Sequence, residues 1–244
     1  MHLLIFLLLG LTQTEEVTKD ENRIISIVSV GEEFEVLPGK SMLESVVAWA
    51  SFTDDQTDNG WMYLEISTNQ EFPDQVQAKA AGFAEGYLTR NTIHEYFKEF
   101  YTKDICAGEE GKEICEYFRK QILVNDVWIK EQVEKKAHVD PYWHMINMFY
   151  QQMDGMMEGW KLKTFEQGTD LPDDFDTEYG VKLINYLADM FDYMEKYKNA
   201  MEKKTLKKMS KPTSSVLIKH LPDRGEVYVG HNTWHEYRAM STGS

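Results

Sequence analysis

Near the C-terminal end of the chain, Thr213 to Trp234 reads TSSVLIKHLPDRGEVYVGHNTW. Three hydroxyl side chains, Thr213, Ser214 and Ser215, open this stretch, and His231-Asn232-Thr233-Trp234 closes it. A hydroxyl becomes a useful nucleophile when a neighbouring base takes its proton, and the oxyanion it generates on a carbonyl needs hydrogen-bond donors. A serine beside an imidazole and an amide therefore has the parts for acyl transfer. What joins the two ends is a hairpin. Ser214–Leu221 and Glu226–His231 read as strands, with Pro222-Asp223-Arg224-Gly225 as the turn. Pairing Leu221 with Glu226 and counting back across an antiparallel ladder puts Val216 opposite His231, Ser215 opposite Asn232 and Ser214 opposite Thr233. On pattern alone, hydroxyls at a hairpin mouth are turn formers and HNTW is a strand end, so the chemistry needs support from the rest of the chain.

The elements that would position this hairpin change period along the chain. Arg23–Val30, Glu32–Pro38, Ser45–Phe52 and Gly60–Thr68 read as strands separated by turn formers, and predict an antiparallel sheet. From Asp74 to Lys103 apolar residues recur at helical spacing, with Pro73-Asp74 as the start. Further helices are expected over Glu110–Lys136, Pro141–Lys161 and Thr177–Lys196. Strands first, helices next and a hairpin last point to an α+β fold, with helices on one face of the sheet. Met201–Ser215, basic and holding a proline, reads as an exposed linker and, just ahead of the hydroxyls, as a processing site.

With 244 residues the chain is long enough for one sizeable core, and a net charge of −15 argues against a nucleic-acid partner. Leu3–Leu11 is an apolar run too short to span a bilayer; it reads as a secretory signal peptide, residues 1–14, cut between Thr12 and Glu15. No later stretch is long and apolar enough to cross a membrane, so a soluble, lumenal product is expected. In that setting Cys106 and Cys115, in DICAGEEGKEIC, pair as a disulfide across a short Gly-rich loop between two helices. Free buried thiols are the rival reading, and a metal pair lacks a histidine at ligand spacing.

Other motifs carry less. HNTWHE has its glutamate beside the second histidine and on a strand end, whereas zinc proteases need it beside the first histidine on a helix. His94, His138 and His144 read as core or surface residues. The methionine-rich run Met145–Trp160 reads as core filler, with a soft lipid-contact surface as the alternative. The carboxylates of Asp170–Asp176 read as a solvated loop. No metal or cofactor is expected.

The hairpin SSVLIKHLPDRGEVYVGHNTWHEY resembles the segment that begins the catalytic chain of the phospholipase B-like family, where Cys-Ser-Ala-Leu-Ile-Lys precedes a turn and His-Asn-Thr-Trp. WASFTDDQTDNGWMYLEIST, VQAKAAGFAEGYLT, the Cys106–Cys115 loop and NMFYQQMDGMMEGWK resemble the same family in the same order, covering Val30–Tyr237. The resemblance implies an N-terminal-nucleophile hydrolase with a four-layer αββα sandwich, here in part. It implies a precursor, residues 15–213 plus 214–244, that cuts its own backbone at Thr213–Ser214. Ser214 is then the nucleophile, His231 and Asn232 stand beside it, Thr233 and Trp234 line the pocket, and an acyl lipid or amide is the substrate in a secreted or lysosomal setting. Two departures stand out. Ser214 replaces the family's cysteine, and the family's catalytic chain continues well beyond RAMSTGS, so the expectation is a truncated form. Asn-x-Ser/Thr sequons are absent from the sequence. The alternative function is a non-catalytic secreted binding domain derived from the same fold.

Overall fold

The computed structural model describes residues 23–31, 33–167, 180–201 and 213–234. The signal-peptide reading, the Asp170–Asp176 carboxylates and most of the basic linker lie outside them.

Four antiparallel strands, β1 (Arg23–Val30), β2 (Glu33–Pro38), β3 (Val46–Asp55) and β4 (Trp61–Thr68), form one sheet in the order β2-β1-β3-β4. Side chains alternate across it, so Ile25 and Ile27 of β1 share a face with Ala48, Ala50 and Phe52 of β3, and all five are buried. Helix α1 (Asp74–Leu88) covers that face with Ala80, Phe83, Ala84 and Leu88. Small residues at positions 80 and 84 let the helix approach the strands closely. The opposite face keeps Ile24, Trp61 and Tyr63 exposed. Ser26 is buried on that side, and its hydroxyl donates to the Gly39 carbonyl at 2.8 Å and accepts from the Ser41 amide at 2.8 Å. The expected sheet and its helical cover on one face are therefore present.

Helix α4 (Pro141–Glu166) packs along α1. It begins as its sequence dictates, with Asp140 accepting the Tyr142 amide at 2.9 Å and Pro141 in the first turn. Two pairs of glycines spaced by four residues face each other across the seam. A β-carbon at Gly82 or Gly86 would run into the backbone of Gln152 or Met156, and one at Gly155 or Gly159 into the backbone of Lys79 or Phe83. The two helices thus meet backbone to backbone. The methionine-rich run divides accordingly. Met153 and Met157 are buried, whereas Met145 is exposed.

A single helix over Asp74–Lys103 is not what forms. It splits into α1, α2 (Arg90–Tyr96) and a π-helix over Phe97–Ile105. At Thr89 the backbone leaves helical geometry (φ −101°, ψ 17°), and its hydroxyl donates to the Glu85 carbonyl at 2.7 Å. The Thr89 amide donates to the same carbonyl at 2.9 Å, so the hydroxyl adds a second donor to the last ladder bond of α1. The π-helix closes with the Cys106 amide on the Tyr101 carbonyl at 2.8 Å. Cys106 and Cys115 form the expected disulfide, with α-carbons 5.7 Å apart. The residues between them are not a loop, however. Helix α3 (Gly108–Lys136) starts at Gly108, whose φ of 70° makes the entry turn, and Gly111 lies against the backbone of Ile105 and Cys106.

A second core forms among these helices. Phe97, Phe118 and Trp160 are its largest fully buried side chains, closed by Val181 and Leu183 of α5 (Gly180–Asn185) and Met190 of α6 (Leu187–Met201). The helix expected over Thr177–Lys196 is thus two helices hinged at Tyr186 within the described residues. The last elements are β5 (Thr213–Leu221) and β6 (Glu226–Trp234), a separate antiparallel pair.

Gly159→Ala should lower stability by about 1–3 kcal/mol or more in urea unfolding, because the added methyl meets backbone that cannot rotate away. Replacing both Cys106 and Cys115 by serine should cost about 2–3 kcal/mol under oxidising conditions and nothing in a reducing buffer.

Candidate active site

The hairpin has the register its sequence predicts. Leu221 pairs with Glu226, Val216 with His231, Ser215 with Asn232, Ser214 with Thr233, and Thr213 with Trp234. Both strands run further than expected, so His-Asn-Thr-Trp is part of the ladder. Pro222–Arg224 make one 3-10 turn, and Gly225 closes it at φ 65°, a conformation that favours glycine.

Register fixes which side chains share a face. Residues directly opposite project to the same side, and neighbours along a strand to opposite sides. Ser214 and Val216 therefore share a face with His231, while Ser215 shares the other with Asn232. Ser214 and His231 are diagonal neighbours, a relation that puts α-carbons about 7–8 Å apart and remains within reach of a ring side chain. The two nitrogen-bearing residues that the sequence sets side by side thus serve different faces. Ser214, His231 and Asn232 are all exposed. Apolar side chains stand on both sides of the ribbon, Val216, Ile218, Val227 and Val229 on one face with His220, and Leu217 and Tyr228 on the other with Lys219 and Glu226, and each of the six apolar ones is more than half exposed.

A second polar constellation escaped the sequence reading. Asp126 of α3 and Lys182 of α5 form an ion pair at 2.8 Å with both residues buried. The Tyr150 hydroxyl donates to the other Asp126 oxygen at 3.2 Å and lies 2.7 Å from the Tyr186 hydroxyl. Burial first, and then the neighbouring hydroxyl and carboxylate, push the Tyr150 phenol well above its ordinary range. Every group named has a partner, so the cluster ties three helices together. Its one sequence signal was an aspartate on the apolar side of a long helical pattern. On α1, burial raises the Glu85 carboxyl above its usual 4.5, against the opposing effect of a hydrogen bond with Gln152 across the glycine seam. Among the described residues there is no cluster of three or more histidine, cysteine, aspartate or glutamate side chains suited to a metal, and no helix long and apolar enough to cross a membrane.

The family model described as Phospholipase B matches residues 48–242, from the middle of the sheet through the hairpin. The chain belongs to the phospholipase B family. Phospholipase B-like protein C of Dictyostelium discoideum is 28% identical over 235 residues, 91% of this chain and 39% of that protein. Putative phospholipase B-like 2 of Bos taurus is 29% identical over 196 residues, 80% of this chain and 32% of that protein. The putative phospholipase B-like lamina ancestor of Drosophila melanogaster is 31% identical over 148 residues, 61% of this chain and 22% of that protein. This phospholipase B-like chain thus spans well under half the length of these relatives, and the match takes in the glycine seam, the disulfide and the hairpin together.

Because the Glu85 carboxyl holds its proton more tightly in the folded chain, its contribution is complete below pH 4.5 and is lost as pH rises through the folded value. Glu85→Gln should therefore be more stable than the parent at pH 7 in thermal unfolding, with the difference shrinking as the pH is brought below 4.5.

Proposed function

We propose that this chain is an acyl hydrolase of the N-terminal-nucleophile kind, made as a precursor that cuts itself between Thr213 and Ser214. Ser214 attacks, and the α-amino group freed by the cut serves it as a base during turnover. His231 and Thr233 belong to the pocket on Ser214's face of the ribbon, while Asn232 and Trp234 belong by register to the opposite face, and residues 15–213 and 214–244 contribute to one hydrolase domain of partial αββα architecture. The observation that supports this reading best is the hairpin register, which sets Ser214 and His231 on one face, within a chain of the phospholipase B family. The relatives' names point to an acyl lipid, and an amide is the alternative substrate because the same attack opens either bond. The Cys106–Cys115 disulfide and the apolar run at the start of the sequence support a secreted or lysosomal location.

Serine in place of the family's cysteine keeps the reaction possible and makes it more dependent on its base, since a hydroxyl ionises far less readily than a thiol. A second reading, a non-catalytic secreted binding domain, is favoured by one feature. The hairpin's reactive groups stand exposed and are not enclosed in a cleft.

Intact-mass measurement of the purified, secreted protein separates the two. The enzymatic reading expects a break at Thr213–Ser214 and hydrolysis of an acyl ester or amide, both abolished in Ser214→Ala. An uncut chain without turnover would leave the binding-domain reading standing.

A further inference from the structure

The self-cutting step presents a difficulty that the mature enzyme does not have. Before the Thr213–Ser214 bond is broken, the nitrogen of Ser214 is an amide and cannot accept a proton. The base invoked for turnover does not yet exist. Another group must take the hydroxyl proton during the cut, and it must reach the face on which Ser214 projects.

We infer that His231 is the base of the self-cutting step, selected by the hairpin register; the inference rests on the function proposed above. Ser214 lies opposite Thr233, and His231 is two residues back on that strand, so its ring projects to the same side. Asn232, the neighbouring nitrogen-bearing side chain, projects to the far side with Ser215. The same parity distinguishes the hydroxyls. Ser215 faces away from the imidazole, so the register also favours the bond before Ser214 over the bond before Ser215. His220, the other histidine of the ribbon, pairs with Val227 and is six residues from Ser214 along β5. At about 3.3 Å per residue it stands roughly 20 Å away, out of reach.

The step balances without a co-reactant other than water. The Ser214 hydroxyl oxygen attacks the Thr213 carbonyl carbon while its proton passes to the His231 imidazole. The tetrahedral adduct collapses by breaking the Thr213 C–N bond, and the imidazolium returns the proton to the departing nitrogen. This leaves Thr213 as an ester on the Ser214 oxygen and a free α-amine on Ser214. Water then attacks the ester, giving the Thr213 carboxylate and regenerating the hydroxyl. From that point the α-amine can act as base, and His231 is no longer essential for proton transfer.

The test follows the release of the Ser214–Ser244 fragment by mass spectrometry in the full chain, with far-UV circular dichroism and thermal unfolding as controls for folding. His231→Ala and His231→Gln should slow the cut on the order of 100-fold or more, as loss of a general base does, and added imidazole should restore much of the rate to His231→Ala. Ser215→Ala should cut at the parental rate and position. Cutting of both His231 variants at the parental rate overturns the inference. So does slow cutting that imidazole does not rescue, which would make His231 a strand-pairing residue, and so does a cut displaced or lost in Ser215→Ala. Failure of the underlying reading looks different. The parent would stay intact, or Ser214→Ala would still be cut.

Discussion

Two helix backbones in direct contact set the geometry of most of this chain. Along the seam between α1 and α4 the side chains at positions 82, 86, 155 and 159 are absent, and the main chains fill the space. Each glycine costs helix propensity, roughly 1 kcal/mol relative to alanine in a helix interior. What offsets that cost is dispersion from close-packed backbone and the burial of everything on either side. With α4 drawn tightly against α1, α1 can use its other flank for the sheet, where Ala80 and Ala84 bring it down onto Ile27, Ala48 and Ala50. On the far side, α4 contributes Met157 and Trp160 to the helical core. The sheet core and the helical core are thus connected through one seam.

The helical core has its own fasteners, and they act at its edges. The disulfide fixes the end of the π-helix onto the opening turns of α3, where Gly111 allows the two backbones to touch. At the other side, the buried Asp126–Lys182 pair holds the short α5 onto α3. A buried ion pair contributes little net stability, because desolvation of both charges nearly cancels their attraction. It specifies position more than it strengthens. Removing either charge leaves the other buried with weaker partners, Asp154 at 3.8 Å for Lys182 and the Tyr150 hydroxyl for Asp126, so the pair favours one placement of α5 over sliding alternatives. Arg90 plays a similar part with less charge at stake, donating to the Thr164 hydroxyl at 3.0 Å while its carbonyl accepts from the Trp160 indole at 3.1 Å.

Much of this was legible where local chemistry decides the outcome. Strand β1 has the bounds its alternation implies, and the helix starts at Pro73-Asp74 and at Pro141 hold. The hairpin register followed from one turn because a ladder has no freedom once its closing pair is set. What could not be read was decided by non-local geometry. GEEGKE has the composition of a loop, yet it becomes the start of α3, where a tertiary contact needs Gly111 bare. The paired glycines at 82/86 and 155/159 were visible as spacing, but their meaning depends on two distant segments facing each other. Asp126 interrupts an apolar pattern in the sequence, and its partner Lys182 is 56 positions away.

The hairpin carries a tension between stability and chemistry. A two-stranded ribbon alone is marginal in water, and this one has apolar residues on both faces, the pattern of strands covered on both sides. Ser214 and His231 share the exposure of its valines. In open water the dielectric weakens each electrostatic contribution that a proton transfer between Ser214 and His231 would draw on, and a hydroxyl, unlike a thiol, has little acidity of its own to compensate. Whatever removes the valines and leucines from water also lowers the dielectric around the serine and the imidazole. For a serine nucleophile, burial of this ribbon and activation of its hydroxyl are therefore one event.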